Sequence, residues 1–286
     1  MANLRDIRSR IIGVEKTQKI VSAMKMVAAA RLARAQAAAH AARPYADKLR
    51  EVLASVSAGV EADAHPLFCS RDNVRKLDVV LLTSDRGLCG AFNANMIRQA
   101  AGIIAQREAE LESISLIPIG RKGSEHFAKI GTPVPRQWTG ISQVTPEVGA
   151  EIAGTLMARF LGGEADETIL VYGKFQSALR QPPVQEPLLP VEPAGTELEV
   201  GTGAYEMEPS AEQLLGQLVP RAVEFAVFRS LLESEASEHA ARMTAMDSAT
   251  TNTEELIRSL NLEYNKERQA AITAELVEIV GGAEAL

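Results

Sequence analysis

HAARMTAMDSATTNTEELIRSLNLEY, residues 239–264, is the stretch whose reading decides the fold. Taken at alternating spacings of four and three, it gives His239, Met243, Met246, Thr250, Thr253, Ile257, Leu260 and Tyr264. That is a heptad seam, and a helix carrying one needs a partner helix along its length. The seam is only lightly apolar. Two threonines and a histidine stand where a helix built for stability alone would carry Leu or Ile. The helical pattern around it extends from about Pro209 to Leu286.

The partner lies at the other end of the chain. Leu4, Ile7, Ile11, Val14, Gln18, Val21 and Lys25 alternate in the same way, and residues 1–58 read as one helix. Asn3 is placed to cap it, with Asp6 three residues on. From Ala28 to Ala42, ten of fifteen residues are Ala, the best helix former. Pro44 predicts a bend or short break, after which Tyr45, Leu49, Val52, Leu53 and Val56 resume the pattern.

Composition agrees with long helices. Aromatic residues are 4% of the 286, and the net charge is −7 with a pI near 5.3. Residues 1–50 hold eleven Lys/Arg against three Asp/Glu, a balance of +8, so the remainder carries −15. The basic face reads either as a solvated helix surface or as a nucleic-acid contact. The acidic chain and the lack of stacking aromatics on that face argue against nucleic acid. Two cysteines, Cys69 and Cys89, suggest neither a disulfide framework nor a zinc site. With no apolar run of membrane-spanning length and no leader pattern, the expectation is a soluble, intracellular chain without direct membrane insertion.

Between the helices the texture changes. Leu77–Thr83, Ile114–Ile119 and Thr168–Tyr172 read as short buried strands. Helical patterns at 91–110, 122–130 and 146–161 alternate with them, which predicts a small Rossmann-like α/β sheet. Pro182, Pro183, Pro187, Pro190 and Pro193 predict edge or turn structure, and Gly195, Gly201 and Gly203 punctuate the passage to the last helix. The expected organisation is therefore α/β: an antiparallel coiled coil of helices 1–58 and 209–286, with an α/β domain inserted at 74–205.

An α/β domain invites an enzyme reading. A dinucleotide fold wants G-x-G-x-x-G after its first strand; the turn here, Ser84-Asp85-Arg86-Gly87-Leu88-Cys89-Gly90, offers two glycines. No phosphate loop and no H-E-x-x-H occur, and the four histidines are scattered. Asp85 beside Arg86 reads better as a turn-stabilising Asp with a surface Arg than as a catalytic pair. Cys89 reads as a buried structural thiol. No catalytic, cofactor-binding or metal residues are assigned. At 1.5 Å per residue the helices span about 87 and about 114 Å, so the tip of the second should project past Met1. That tip carries Leu276, Val277, Ile279 and Val280, a bare apolar patch that implies a socket on another protein.

Several motifs, in order, carry a family resemblance. Lys16-Thr17-Gln18-Lys19-Ile20 and Ala23-Met24-Lys25-Met26-Val27-Ala28-Ala29 resemble the N-terminal signature of the gamma subunit of F-type ATP synthases. Residues 84–90 are similar to its central motif. Arg242-Met243-x-Ala245-Met246, Ala249-Thr250-x-Asn252 and Tyr264-Asn265-Lys266-x-Arg268-Gln269-Ala270-x-Ile272-Thr273 resemble its C-terminal signature, closed by Glu278-Ile279-Val280-Gly281-Gly282.

The resemblance implies a non-catalytic rotor shaft linking a membrane ring of c subunits to a head of alpha and beta subunits. It places Met24, Lys25 and Arg242 near an acidic lever of beta. Arg268, Gln269 and Thr273 would lie near a beta loop, and Leu276 and Ile279 in an apolar sleeve. The α/β domain, with Asp85, Arg86, Gly87, Cys89 and Gly90 in its motif, would carry the epsilon subunit and meet the c ring. No cofactor is implied. The complex would lie on the cytoplasmic side of a bacterial inner membrane and run on protons. A free enzyme and a static coiled-coil scaffold are the alternatives.

The register of the coil is a separate expectation. In an antiparallel pair facing residue numbers sum to a constant. A sum of 264 sets Ile7 against Ile257 and Val21 against Met243. A sum of 271 sets Ile7 against Tyr264, Ile11 against Leu260 and Val14 against Ile257. Apolar matching slightly favours 271. Charge oppositions, including Lys16 with Asp247 and Lys25 with Glu238, favour 264, which is the expected register.

Overall fold

The computed structural model describes residues 4–57, 65–71, 73–191, 208 and 210–284. The elements in chain order are α1 (Leu4–Ser57), β1 (Lys76–Leu82), α2 (Phe92–Arg107), β2 (Ser113–Ile119), α3 (Arg121–Lys129), α4 (Pro146–Leu161), β3 (Glu167–Gly173), β4 (Pro183–Leu189) and α5 (Ala211–Glu284). The chain divides into two units: Met1–Ala28 with Arg242–Leu286, and Ala29–Ala241. Each takes a stretch of both long helices. The expected cap Asn3 and the glycines at 195, 201 and 203 lie outside the described residues.

The first unit is a pair of helices. On α1 the less exposed positions are Leu4, Ile7, Ile11, Val14, Gln18, Val21 and Lys25 with a few neighbours; on α5 they include Met243, Met246, Thr250, Thr253, Ile257, Leu260 and Tyr264. These are the two heptad seams. Ile7, Met246 and Leu260 are buried. Two polar contacts set direction and register. Lys25 Nζ donates to Asp247 Oδ1 at 2.5 Å, and Gln18 Nε2 donates to Glu254 Oε1 at 3.3 Å. Going back seven residues on α1 moves the partner forward seven on α5, so the helices are antiparallel.

The expected register of 264 is corrected by the same contacts. In that register Asp247 would lie eight residues from the position level with Lys25, about 12 Å along the axis. That is beyond a lysine's reach. In the 271 register Met246 is level with Lys25 and Thr253 with Gln18, and each observed partner is the next residue. The physical reason is one of magnitude. Exposed ion pairs contribute about 0–1 kcal/mol each, whereas burying an Ile or Leu contributes about 1.5–3 kcal/mol. The register that sets apolar on apolar prevails, and Lys25 takes Asp247 instead of Glu238.

The second unit is built on a four-stranded sheet of order β2-β1-β3-β4. β1 pairs in parallel with both β2 and β3, while β4 runs antiparallel on the edge beside β3. Residues pointing to opposite faces alternate along a strand, and the core divides accordingly. Val80, Leu82, Ile117, Ile119, Leu170 and Tyr172 face one core, with Ile152, Leu156 and Phe160 of α4 and Val219, Val223 and Val227 of α5. Leu77, Val79, Leu81, Leu116 and Val171 face the other, with Phe92, Met96 and Ile103 of α2 and Phe127 of α3. The prolines of β4 fall at an edge, where a missing N–H costs least. At Pro44 the expected break does not occur: α1 runs through it. Beyond it Leu53 and Val56 are buried, and Tyr45 lies 5.1 Å from the Phe225 ring. Packing on both sides offsets the roughly 3 kcal/mol that an interior Pro costs an unsupported helix.

One charge is buried in the middle of the sheet. Asp78 of β1 is 1% exposed. Its carboxylate accepts from Arg159 Nε at 2.7 Å and from the same guanidinium's NH2 at 3.0 Å, a two-pronged grip from α4. Burial pushes the carboxyl up from its ordinary range, and the arginine opposes this. A paired buried charge is tolerated, but one left alone costs several kcal/mol.

Two outcomes follow. Arg159→Met should lower unfolding stability by about 3–5 kcal/mol, read from the denaturant midpoint. Asp78→Leu with Arg159→Met together should recover much of that loss, because neither charge is then stranded. For the coil, cysteines at Ile7 and Tyr264, with Cys69 and Cys89 replaced, should cross-link under mild oxidation. Cysteines at Ile7 and Ile257 should not, since a disulfide needs α-carbons within about 7 Å. Closure of the second pair but not the first would restore the 264 register.

Candidate functional site

The turn after β1 is a knot of hydrogen bonds. Asp85 accepts from the backbone N–H of Arg121 at 2.9 Å and of Gly140 at 2.8 Å, so it ties three segments together. The reading of Asp85 as a turn-stabilising residue holds. Ser84 Oγ donates to the Arg86 carbonyl, and Asn93 Nδ2 donates to Ser84 Oγ at 2.7 Å and Cys89 Sγ at 3.2 Å. Cys89 is buried, as a structural thiol should be. Leu88 has φ 63° and Gly90 φ 57°, so the turn visits the left-handed region twice. Arg86, Gly87 and Leu88 are exposed.

A cleft of about 520 Å³ opens beside this turn, lined by Thr83, Asp85, Arg86, Gly120 and Arg121 among others. The carboxyl ends of parallel strands are where α/β folds hold ligands. Here the first turn of α3 has its donors committed. Arg121 N–H goes to Asp85, Lys122 N–H to the Ser84 carbonyl and Gly123 N–H to Thr83 Oγ1. A phosphate cradle needs those groups pointing at the ligand. Gly120, at φ 102°, also brings its backbone against β1, and a Cβ there would stand 2.0 Å from the Thr83 carbonyl oxygen. The turn locks the end of β1 to α3. From sequence, the side chains of Thr83 and Asn93 and the bare backbone of Gly120 had no assigned part in this turn; Asn93 bonds back to Ser84 rather than capping its own helix, so no local signal marks it.

The remaining candidate residues lie on the helical pair. Met24 is half-buried, Lys25 is held by Asp247, and Arg242 is 9% exposed, so these three do not present equal surfaces. Arg268, Gln269 and Thr273 are all exposed. At the far end of α5, residues 272–280 are exposed throughout, with Leu276 at 56% and Ile279 at 68%. The helix surface has one further property. Thr250, Thr251 and Thr253 each donate a hydroxyl to the carbonyl four residues back, and so do Ser248, Thr17 and Thr273. No described helix is long and apolar enough to cross a membrane.

Comparison with known proteins assigns this arrangement. The family model for ATP synthase matches residues 3–286. The ATP synthase gamma chain of Chlorobaculum tepidum is 47% identical over 290 residues, covering 100% of this chain and 99% of the relative. That of Geobacter sp. (strain M21) is 48% identical over 287 residues, with the same coverage. Among solved structures, the central stalk/c-ring of Tetrahymena thermophila mitochondrial ATP synthase superposes with a TM-score of 0.60 at 25% identity, covering 80% of this chain and 99% of that one. The rotor of Euglena gracilis mitochondrial ATP synthase gives 0.66 at 23% identity, covering 94% and 98%, and shares the fold. With its terminal helices, its central sheet and these full-length matches, the chain belongs to the ATP synthase gamma chain family.

Because the tip of α5 buries little against its own chain, deleting Leu276–Leu286 should leave cooperative unfolding in place. The unfolding free energy should move by less than about 0.5 kcal/mol, the range for changes remote from any packed core. Loss of the cooperative transition would mean that the tip belongs to a core.

Proposed function

We infer that this chain is the central stalk of an F-type ATP synthase, the shaft that couples rotation of a membrane ring to ATP synthesis or hydrolysis. The chemistry takes place on beta subunits, and this chain is not the catalyst. One observation carries the reading: a full-length gamma-chain match on a chain whose terminal helices pair and end in an exposed apolar tip.

The finer assignments rest on family likeness and on the surfaces described. The coil comprises residues 1–58 and 209–286, and the inserted α/β domain residues 74–205. Leu276 and Ile279 turn inside an apolar sleeve formed by the alpha and beta subunits. Exposure supports Arg268, Gln269 and Thr273 as contacts to a beta loop. Met24, Lys25 and Arg242 meet the acidic lever of beta. Lys25 would exchange Asp247 for that lever at little cost, since exposed pairs are worth about 0–1 kcal/mol. Arg242 offers the least surface of the three. The α/β domain, with Asp85, Arg86, Gly87, Cys89 and Gly90 fixing the end of β1, carries epsilon and sits on the c ring. The complex is peripheral to the cytoplasmic side of a bacterial inner membrane, and protons drive it.

The test is co-purification. An affinity-tagged chain expressed in its own cells should bring down alpha, beta and epsilon subunits, and the assembled head should rotate a bead fixed to the tag. Recovery of the chain without those subunits, or ATP turnover by the purified chain after beta is removed, would overturn the reading.

A further inference from the structure

Within the second unit a cleft of about 440 Å³ lies between the middle of α1, the segment after β3 and α5. That is the size of pocket that takes a small organic molecule. Its walls are apolar and aromatic: Phe175, Phe225 and Leu232, with alanines of both helices filling the gaps. Its polar groups are unevenly matched. Arg50 pairs with Asp47 along α1 at 3.4 Å, and Arg229 is held by Glu186 and by Glu233. Arg43 and Lys174 remain; the ion pairs within 4.0 Å at this cleft among the described residues are those of Arg50 and Arg229. Both are close enough to Glu233 for their charges to bear on its carboxyl. Glu233 itself has one oxygen, Oε2, that is buried and lacks a hydrogen-bond partner. The cleft therefore combines an excess of positive charge, four cationic side chains against two carboxylates, with an aromatic wall.

We propose that this cleft binds a small amphipathic anion, a carboxylate or sulfonate on a flat apolar body, with the head between Arg43 and Lys174 and the body against Phe175 and Phe225. Charge decides the sign of the ligand. A cation would meet Arg43, Arg50, Lys174 and Arg229 against the carboxylates of Asp47 and Glu233. An anion meets the excess of positive charge that Arg43 and Lys174 give the cleft. Shape decides the body. Phe225 is held by the Tyr45 ring at 5.1 Å and the Phe228 ring at 6.1 Å, so this wall is braced before a ligand arrives. A braced wall reduces the ordering cost of binding. The site is independent of the stalk assignment and uses none of the residues placed against beta.

The experiment is titration calorimetry on the purified full chain with 2-naphthoate. 2-Naphthamide and 2-naphthylmethylammonium serve as neutral and cationic controls on the same ring. The expected result is saturable one-to-one binding of the carboxylate with a Kd below about 1 mM, within the efficiency range of small ligands. The amide should bind at least tenfold more weakly, and the ammonium not at all. Arg43→Gln with Lys174→Gln should weaken the carboxylate tenfold or more. Glu233→Gln should tighten it, because it removes the opposing charge while the chain keeps its fold. Equal binding of all three probes, no binding of the carboxylate, or no loss in the double variant would each overturn the proposal.

Discussion

Apolar contact along a seam that is only partly apolar governs the helical pair. Ile7, Met246 and Leu260 are buried in it, while Thr250, Thr253 and Gln18 share the same line. Each apolar side chain withdrawn from water stabilises the pair more than an exposed ion pair does. The ammonium of Lys25 and the amide of Gln18 therefore settle on whatever partners the seam brings level with them. Direction and register follow from that ordering of magnitudes, and so does which part of α5 is left without α1 beside it.

The sheet unit follows a different constraint. Its central strand is covered on both faces, and the buried charge it carries must be answered inside. Asp78 and Arg159 meet that demand by linking β1 to α4. At the edge, Arg229 of α5 joins Glu186 of β4, and Tyr172 donates its hydroxyl to the same Glu186 at 2.6 Å. Burial and that carboxylate together push the phenol well above its ordinary range, so it stays a donor. Ser237 donates to the Gly173 carbonyl at 2.8 Å. The long helix and the sheet are thus one packed body in this unit, through α5 residues up to Ala241.

Periodicity made much of this legible. A period of three and four picked out the seams, and short apolar runs between helical patterns picked out β1, β2 and β3. The prolines marked β4 as an edge, and Asp85 was readable because an Asp before a Gly-bearing turn has few other uses. Register was not legible in the same way. Sliding one heptad leaves every seam residue on the seam, and the rival registers differ only in small terms. Favouring loose charge oppositions, such as Lys25 with Glu238, over apolar matching reversed the weights. The short break allowed for at Pro44 is absent because local cost is visible in sequence and distant compensation is not. Asp78 and Arg159 are 81 residues apart, and no local pattern joins them.

The inward-turned hydroxyls of the helical pair have a consequence for a shaft. A side-chain O–H aimed outward would form a hydrogen bond with whatever surface lay opposite, each with a net worth of about 0.5–1.5 kcal/mol. Turning past that surface would mean breaking and remaking such bonds at every step. The exposed Thr251 and Thr273 instead hold their protons on the backbone of their own helix. What they offer a neighbour is methyl groups and oxygen lone pairs. At those two positions a turning shaft meets its neighbour without a hydroxyl donor to be broken away and remade.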